Sequence, residues 1–256
     1  MKSIIIVTYN SEKYIERCLD SVYKNISDND EVFVIDNNSQ DKSINIIYSY
    51  KNNKNNLFLI NNNNLGFAKA VNQGLREVKG DYIFLINPDT EFRENVLENL
   101  IILANKYNAG IAGVCQKNIN NKFISSWGNF PNKFSKLIRN LKLYKFFNMG
   151  DWVDYNYLNK KLFINNRKVD WVSGGFMLIK REVINKINFF DENFFMYYED
   201  VDYCKRATDA GFQVWYFGKI QIKHFTGASS SRRKYIDRLS KKSLDYYLKK
   251  HNLTKN

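Results

Sequence analysis

The sequence predicts an α/β fold built on a mostly parallel central sheet flanked by helices. Three observations carry this. Residues 3–7 (SIIIV), 31–35 (EVFVI), 57–60 (LFLI) and 82–86 (YIFLI) are short runs that are apolar almost throughout. Stretches with helical spacing separate them, and polar residues follow several of the runs directly. Strands of a parallel sheet are covered on both faces, so they lose the in-out alternation of half-exposed strands. The resulting order βαβαβαβ calls for right-handed crossovers.

Taken in order, the first strand ends in Thr8, Tyr9 and Asn10, and the next segment places Tyr14, Ile15, Cys18, Leu19 and Val22 on one helical stripe. Asn10 or Ser11 is its expected N-cap, and Cys18 belongs to the core. The second strand ends in Asp36, followed by a polar turn through Asn37, Asn38, Ser39 and Asp41 and a short helix with Ile44 and Ile47 inward. After 57–60 a polar loop runs to Gly66, and Ala70, Val71, Gly74, Leu75 and Val78 mark the third helix. The fourth strand stops at Asn87, Pro88 and Asp89. Ligands of open α/β sheets bind beyond the C-terminal ends of the strands, where Asp89 could hold a phosphate-bridging metal. Its other reading is a cap on the following helix, whose stripe is Val96, Leu97, Leu100, Ile101 and Ala104. The residues by themselves leave both open.

The second half is less regular. Residues 111–115 and 122–127 read as strands, and 130–168 is basic and aromatic. Within it Phe134, Leu137, Ile138, Leu141 and Tyr144 share one helical face opposite Lys136, Arg139 and Lys142. Such a helix either packs on its own domain or lies on an anionic membrane. Gly174 and Gly175 mark a bend before strand FMLI and a helix from Arg181. Six aromatics then lead into Glu199, Asp200 and Asp202 at a helix start, with Gly211 as its C-terminal cap. First-turn carboxylates suit the helix dipole, but aromatic walls around an acidic cluster also suit a poised base. Strands QVWYF and KIQIKHF follow, the second carrying His224.

The totals bound the function. A chain of 256 residues fits one large α/β domain. The 39 lysines and arginines against 26 acidic residues give a formal charge of +13, which favours an anionic partner without saying which. Cys18, Cys115 and Cys204 are odd in number and widely spaced, so neither a disulfide framework nor a zinc site is expected, and a reducing, cytoplasmic setting is. Residues 1–7 are too short for a signal core, and no apolar run approaches the roughly 20 residues of a membrane span. The turn after the first strand reads TYNSEK, which is no GxGxxG, and no Walker motif occurs. The asparagine runs at 52–56 and 61–64 read as compositional bias.

Seven motifs in order then resemble the inverting family-2 glycosyltransferases of GT-A fold, most closely their rhamnosyltransferase-like bacterial members. They are IIIVTYN, IDNNSQD, NNNLGFAKAVNQG, LINPDTEF, VSGGFMLIKREV, FFMYYEDVDYCKRATDAGF and IKHFTGASSS. The resemblance spans nearly the whole chain apart from about 120–168. It implies one GT-A domain over 1–256, with a nucleotide-sugar-binding half (1–115) and an acceptor and catalytic half (116–256) ending in a helix, the mostly parallel sheet being joined by a smaller mixed acceptor-side portion. It implies that Thr8, Tyr9, Asn10 and Asp36 hold the base and ribose of a dTDP- or UDP-linked sugar, with Asn64, Gly66 and Asn72 shaping the adjacent loop. Asp89 would be the main carboxylate of the metal motif, with His224 approaching the same Mn²⁺ or Mg²⁺. Many relatives carry aspartate at both ends of that three-residue motif, whereas this chain has Asn87, leaving one formal carboxylate. The implied reaction is transfer of a hexose or deoxyhexose, with inversion, to a saccharide or lipid-linked acceptor in cell-surface polysaccharide synthesis. Asp200 is the implied base and Glu199 the reserve. Gly174, Gly175 and Trp171 would line the sugar and acceptor cleft, and Arg232, Arg233 or Lys241 would steady the leaving diphosphate. Two other classes stand beside this: a sugar-binding protein without catalysis, and a nucleic-acid-binding module, for which no reading motif is present.

Overall fold

Strand β1 (Lys2–Thr8) is the strand from which the sheet extends to both sides, because each of its two faces is covered and both of its edges are paired. In the computed structural model, which describes residues 1–61, 63–132, 160–225 and 233–253, β1 is followed by α1 (Ile15–Tyr23), β2 (Glu31–Asp36), α2 (Ser43–Lys51), β3 (Leu57–Asn61), α3 (Phe67–Glu77) and β4 (Tyr82–Ile86). The order β3-β2-β1-β4 is parallel throughout, as the apolar runs predict. Ile4 and Ile6 point into the layer of α1 and α4, while Ile5 points into the layer of α3. All three are buried, each worth about 1.5–3 kcal/mol as area removed from water. Helix α3 comes so close that a Cβ on Gly74 would sit 2.9 Å from Ile5 Cγ2.

The remaining elements are β5 (Thr90–Glu91), α4 (Val96–Lys106), β6 (Ala109–Lys117), β7 (Phe123–Ile124), β8 (Trp127–Gly128), α5 (Lys160–Ile164), β9 (Asn166–Lys168), β10 (Trp171–Val172), β11 (Phe176–Lys180), α6 (Arg181–Ile187), α7 (Glu199–Asp209), β12 (Gln213–His224) and α8 (Arg233–Lys250). The ten-stranded sheet continues β4-β11-β6-β12-β5. β11 runs antiparallel to both neighbours, so β6 and β12 regain the direction of β4. The short strands β5, β7 and β9 pair antiparallel, making the second half mixed.

Several local expectations change. Helix α1 is capped by Tyr14 without a side-chain bond, because the backbone carbonyl of Ser11 takes the amides of Tyr14 and Ile15. Residues 122–127 divide between β7 and β8, the latter forming a separate two-stranded sheet with β10. The two strands expected over 213–225 are one strand, β12, with register shifts after Gln213 and Phe217. Asp89 does not cap α4: the cap residue is Asn95, and β5 lies between. Gly211, at φ +95, follows the last turn of α7 and takes the left-handed position expected of it. Asparagine does similar work, since Asn10, Asn38, Asn95, Asn108, Asn121, Asn188 and Asn252 also have positive φ. No described helix is long and apolar enough to cross a membrane. The amphipathic segment 133–145 and the residues 226–232 lie outside the described residues.

Helices α7 and α8 are joined through one buried carboxylate. Asp202 is fully buried and bonds Arg206 Nε at 2.9 Å, Lys250 Nζ at 2.8 Å and His251 Nε2 at 2.9 Å. Burial pushes its pKa up, but hydrogen bonds from His251 and Lys250 and the Arg206 charge outweigh this and hold it below the usual carboxylate range. An acid with a lowered folded-state pKa stabilises above its unfolded value, about 3.9, and loses that contribution as pH falls through the folded one. Asp202→Ala should therefore cost about 3 kcal/mol in urea unfolding at neutral pH, the lower part of the range for a broken buried pair because Arg206 and Lys250 retain some water contact. The gap to the parent should narrow at the acid end, and a gap that widens there would contradict the assignment.

Candidate active site

The site grows from the turn that ends β4. The Asn87 carbonyl accepts the Thr90 amide at 3.2 Å and the Thr90 hydroxyl at 2.8 Å, closing a β-turn with Pro88 at its second position. Proline there presets the backbone, so Asp89 emerges at a fixed angle. The next two residues form β5, which pairs antiparallel with the end of β12 and sets Thr90 opposite His224. The Phe225 amide then bonds the Asp89 carbonyl at 2.8 Å. These bonds bring together residues 135 positions apart: His224 Nε2 lies 3.0 Å from Asp89 Oδ1 and 3.5 Å from Asn87 Nδ2.

The opposite wall comes from the bend between β10 and β11. The Asn87 amide donates to the Gly175 carbonyl at 2.9 Å, tying this bend to the β4 turn. A Cβ on Gly175 would lie 3.1 Å from His224 Cε1 and 3.2 Å from Asn87 Nδ2, so glycine lets the bend press against the pair. One residue earlier, the Gly174 amide donates to Asp200 Oδ2 at 2.9 Å, while the Val201 amide donates to Oδ1 at 2.8 Å. Asp200 is half-buried in the first turn of α7, and burial raises its pKa despite both amide bonds. Glu199 is buried, and burial followed by the neighbouring Asp200 charge pushes it well above the usual carboxylate range. Its Oε2 has no hydrogen-bond partner among the described residues. The chain enters α7 through Tyr197 and Tyr198 at φ 69 and 67. Two successive left-handed aromatic residues store strain of about 1–3 kcal/mol each, and such strain gathers where a side chain must be aimed.

The other expected residues fall into two groups. Thr8, Tyr9, Asn10 and Asp36 meet at the C-terminal ends of β1 and β2. Thr8 is buried with an unpartnered hydroxyl among the described residues, Tyr9 is exposed, and Asn10 Oδ1 accepts the Gln40 amide. Asp36 is buried and accepts the Ser39 amide at 2.9 Å and hydroxyl at 2.5 Å. Gly66, at φ +88, packs where a Cβ would strike the Phe195 backbone, and Asn64 Oδ1 accepts its amide. Two residues are engaged elsewhere. Asn72 bonds both backbone groups of Phe190 and the Glu192 carboxylate, and Trp171 is buried with its indole donating to the Asn129 carbonyl. Gln116 was not anticipated: it is buried, and its Oε1 lies 2.7 Å from His224 Nδ1. Its only sequence signal is a polar residue after the apolar run 111–115. Asp202, one of the three first-turn carboxylates, belongs to the α8 attachment instead.

Asp89, His224 and the Asn87 carboxamide offer oxygen and imidazole donors without a thiol, a set that fits Mn²⁺ or Mg²⁺. The described residues contain no group of three or more His, Cys, Asp or Glu placed to hold an ion. Substrate phosphate oxygens would complete such a shell, as is usual for magnesium.

Comparison with known proteins gives a consistent result. The family model described as Glycosyl transferase family 2 matches residues 3–188. An N-acetylglucosaminyl-diphospho-decaprenol L-rhamnosyltransferase of Mycobacterium tuberculosis (strain CDC 1551 / Oshkosh) is 27% identical over 245 residues, 90% of this chain and 77% of the relative. Rhamnosyltransferase WbbL of Escherichia coli strain K12 is 26% identical over 238 residues, 88% of this chain and 83% of the relative. Among solved structures, the mannosyltransferase PcManGT of Pyrobaculum calidifontis, in complex with GDP-Man and Mn²⁺, has a TM-score of 0.65 at 18% identity. It aligns with 93% of this chain, which spans 60% of that protein's length. The S. aureus TarS fragment 1–349, in complex with UDP-GlcNAc, has a TM-score of 0.62 at 18% identity over 90% of this chain and 59% of that one. These two likenesses establish the fold.

The two glycines of the bend should respond differently to a methyl group. Around Gly174 the nearest atoms to a Cβ are 3.4 and 3.6 Å away, an ordinary contact, whereas those around Gly175 must yield. Gly175→Ala should cost about 1–3 kcal/mol by overpacking, and Gly174→Ala less than about 0.5 kcal/mol. Urea midpoints measure both. Equal costs would mean that Gly175 does not press on His224 and Asn87.

Proposed function

The chain belongs to glycosyl transferase family 2, and from that premise we propose that it moves a hexose or deoxyhexose, rhamnose among them, from a dTDP- or UDP-linked sugar to a saccharide or lipid-linked acceptor with inversion. The observation that carries the reading is the two-residue bend Gly174–Gly175. Gly175 adjoins Asn87 and His224, which in turn reaches Asp89, and Gly174 holds Asp200. A carboxylate suited to take a proton is thereby set apart from the residues suited to a diphosphate, by one peptide unit.

In this reading Thr8, Tyr9, Asn10 and Asp36 receive the base and ribose, beside the loop of Asn64 and Gly66. Asp89 and His224, with Asn87, would hold a divalent cation, whose contribution when bound is to offset the charge gathering on the departing diphosphate. Lys241, exposed on α8, is one of the cations expected to help. The acceptor hydroxyl gives its proton to Asp200 as its oxygen bonds the anomeric carbon, and the bond from that carbon to the diphosphate oxygen breaks. Amides on both Asp200 oxygens fix the plane of the carboxylate and leave outer lone pairs for the acceptor. Attack from the face opposite the leaving group inverts the centre. The whole of 1–256 acts as one catalytic unit here, and the sheet that draws strands from both halves supports this. A sugar-binding protein without catalysis is disfavoured, since the named homologues are transferases.

Two experiments test the roles separately. Burial raises Asp200, and only its ionised form accepts a proton, so kcat should rise with pH along an acid limb above the ordinary aspartate value of about 3.9. Asp200→Asn should lower kcat by about 10²-fold or more and leave donor binding nearly unchanged. Glu199→Gln, which replaces a carboxyl already pushed toward its neutral form, should change kcat little. Loss of turnover in Glu199→Gln with Asp200→Asn active would move the base back by one residue. Indifference to both substitutions would remove the mechanism.

The cation is tested by calorimetry with UDP and dTDP, with and without EDTA. Asp89→Ala and His224→Ala should each weaken Mn²⁺-dependent binding by about 10-fold or more while thermal unfolding stays cooperative. Nucleotide binding that ignores the chelator in the parent protein would take the metal out of the account.

A further inference from the structure

We propose that Gln116 is the positioning residue that keeps the proton of His224 on Nδ1, so that Nε2 is the nitrogen left free to ligate. A neutral imidazole carries one proton, and the hydrogen bond made by one nitrogen decides the state of the other. His224 lies between two acceptors. On one side is Gln116 Oε1, 2.7 Å from Nδ1, and on the other Asp89 Oδ1, 3.0 Å from Nε2. The carboxylate is the stronger acceptor, so charge would favour a proton on Nε2, where it would block ligation.

Burial opposes this. Gln116 is 1% exposed, and its end of the ring is dry. A proton on Nε2 alone would set the Nδ1 lone pair against the amide oxygen at 2.7 Å with no water to relieve it. The Asp89 side chain is 23% exposed, so water is open to its oxygens as an alternative partner when Nε2 offers no proton. Turning the Gln116 amide over would reverse the outcome by placing an N–H against Nδ1. Gln116 Nε2 has no partner among the described residues, so the amide is held from its oxygen end only, by the ring itself. The choice of tautomer and the orientation of the amide are therefore one question, and the position of the ring proton reports both.

The inference extends the metal role proposed above, and its first test needs no metal. The sequence contains two histidines, His224 and His251, so ¹⁵N-histidine labelling gives four ring nitrogens, assigned with a His251→Gln variant. In metal-free protein, at a pH where the ring is neutral, His224 should show a protonated Nδ1 and an unprotonated Nε2. In Gln116→Leu the proton should move to Nε2, facing Asp89. Mn²⁺ affinity, read by the paramagnetic resonance of the free ion in the presence of UDP, should fall about 10- to 100-fold in Gln116→Leu, the usual cost of losing such a partner. Gln116→Glu, which restores an oxygen acceptor, should recover most of it. A protonated Nε2 in the neutral ring of the parent protein would overturn the proposal, whatever the effect on affinity. So would a tautomer unmoved by Gln116→Leu in a folded variant. If the nitrogens behave as stated but Mn²⁺ does not bind the parent, the metal reading fails and the tautomer assignment survives.

Discussion

The Asn87 backbone is the junction on which this site depends. Its amide bonds Gly175, its carbonyl accepts from both Thr90 groups, and the Cys18 thiol donates to that carbonyl from 3.4 Å. One peptide thus fixes the bend that bonds Asp200, the turn that carries Asp89, and the packing of α1 beneath them. Cys18 is fully buried, and burial pushes its thiol up to about 12, so it remains a neutral donor and packing group.

From that junction the chemistry divides by environment. On one side a half-open Asp89 faces an imidazole held from the buried Gln116. On the other side Asp200 and Glu199 share the first turn of α7, where the dipole favours negative charge but burial opposes it. The helix arrives through strained backbone at Tyr197 and Tyr198, and its far end is bound to α8 through Asp202. Stability is supplied away from Asp200, by a carboxylate with three cationic or histidine partners.

The long elements of the fold were legible because they follow from burial alone. The runs 3–7, 31–35 and 82–86 have no alternation because both faces of the sheet are covered there, while 57–60 is the edge strand with Phe58 exposed; the structure places all four side by side and parallel. The misread elements are those decided by a partner distant in sequence. Residues 213–225 look like two strands because Gly218 interrupts the pattern, yet pairing with β6 and β9 carries the strand through. A Cβ on Gly218 would lie 2.3 Å from the Phe163 carbonyl oxygen, a close approach that no local rule reveals. Asp89 resembles a helix cap locally, and only its neighbour β5, too short to recognise by composition, removes it from that role.

By itself the sequence determined the alternation of strands and helices, the ordered motifs of a family-2 transferase, and the set of polar residues at the strand ends. These are properties of residue type and spacing along the chain. The tertiary structure alone decided where each carboxylate of the acidic turn is placed. Glu199, Asp200 and Asp202 are nearly equivalent in sequence, but successive helical positions rotate by about 100°, sending one into burial with its Oε2 unpartnered among the described residues, one to the Gly174 amide and one into the α8 network. It also decided that Gln116 meets His224, across 108 positions and a buried interface, because strand register sets such contacts and periodicity does not encode register between distant strands.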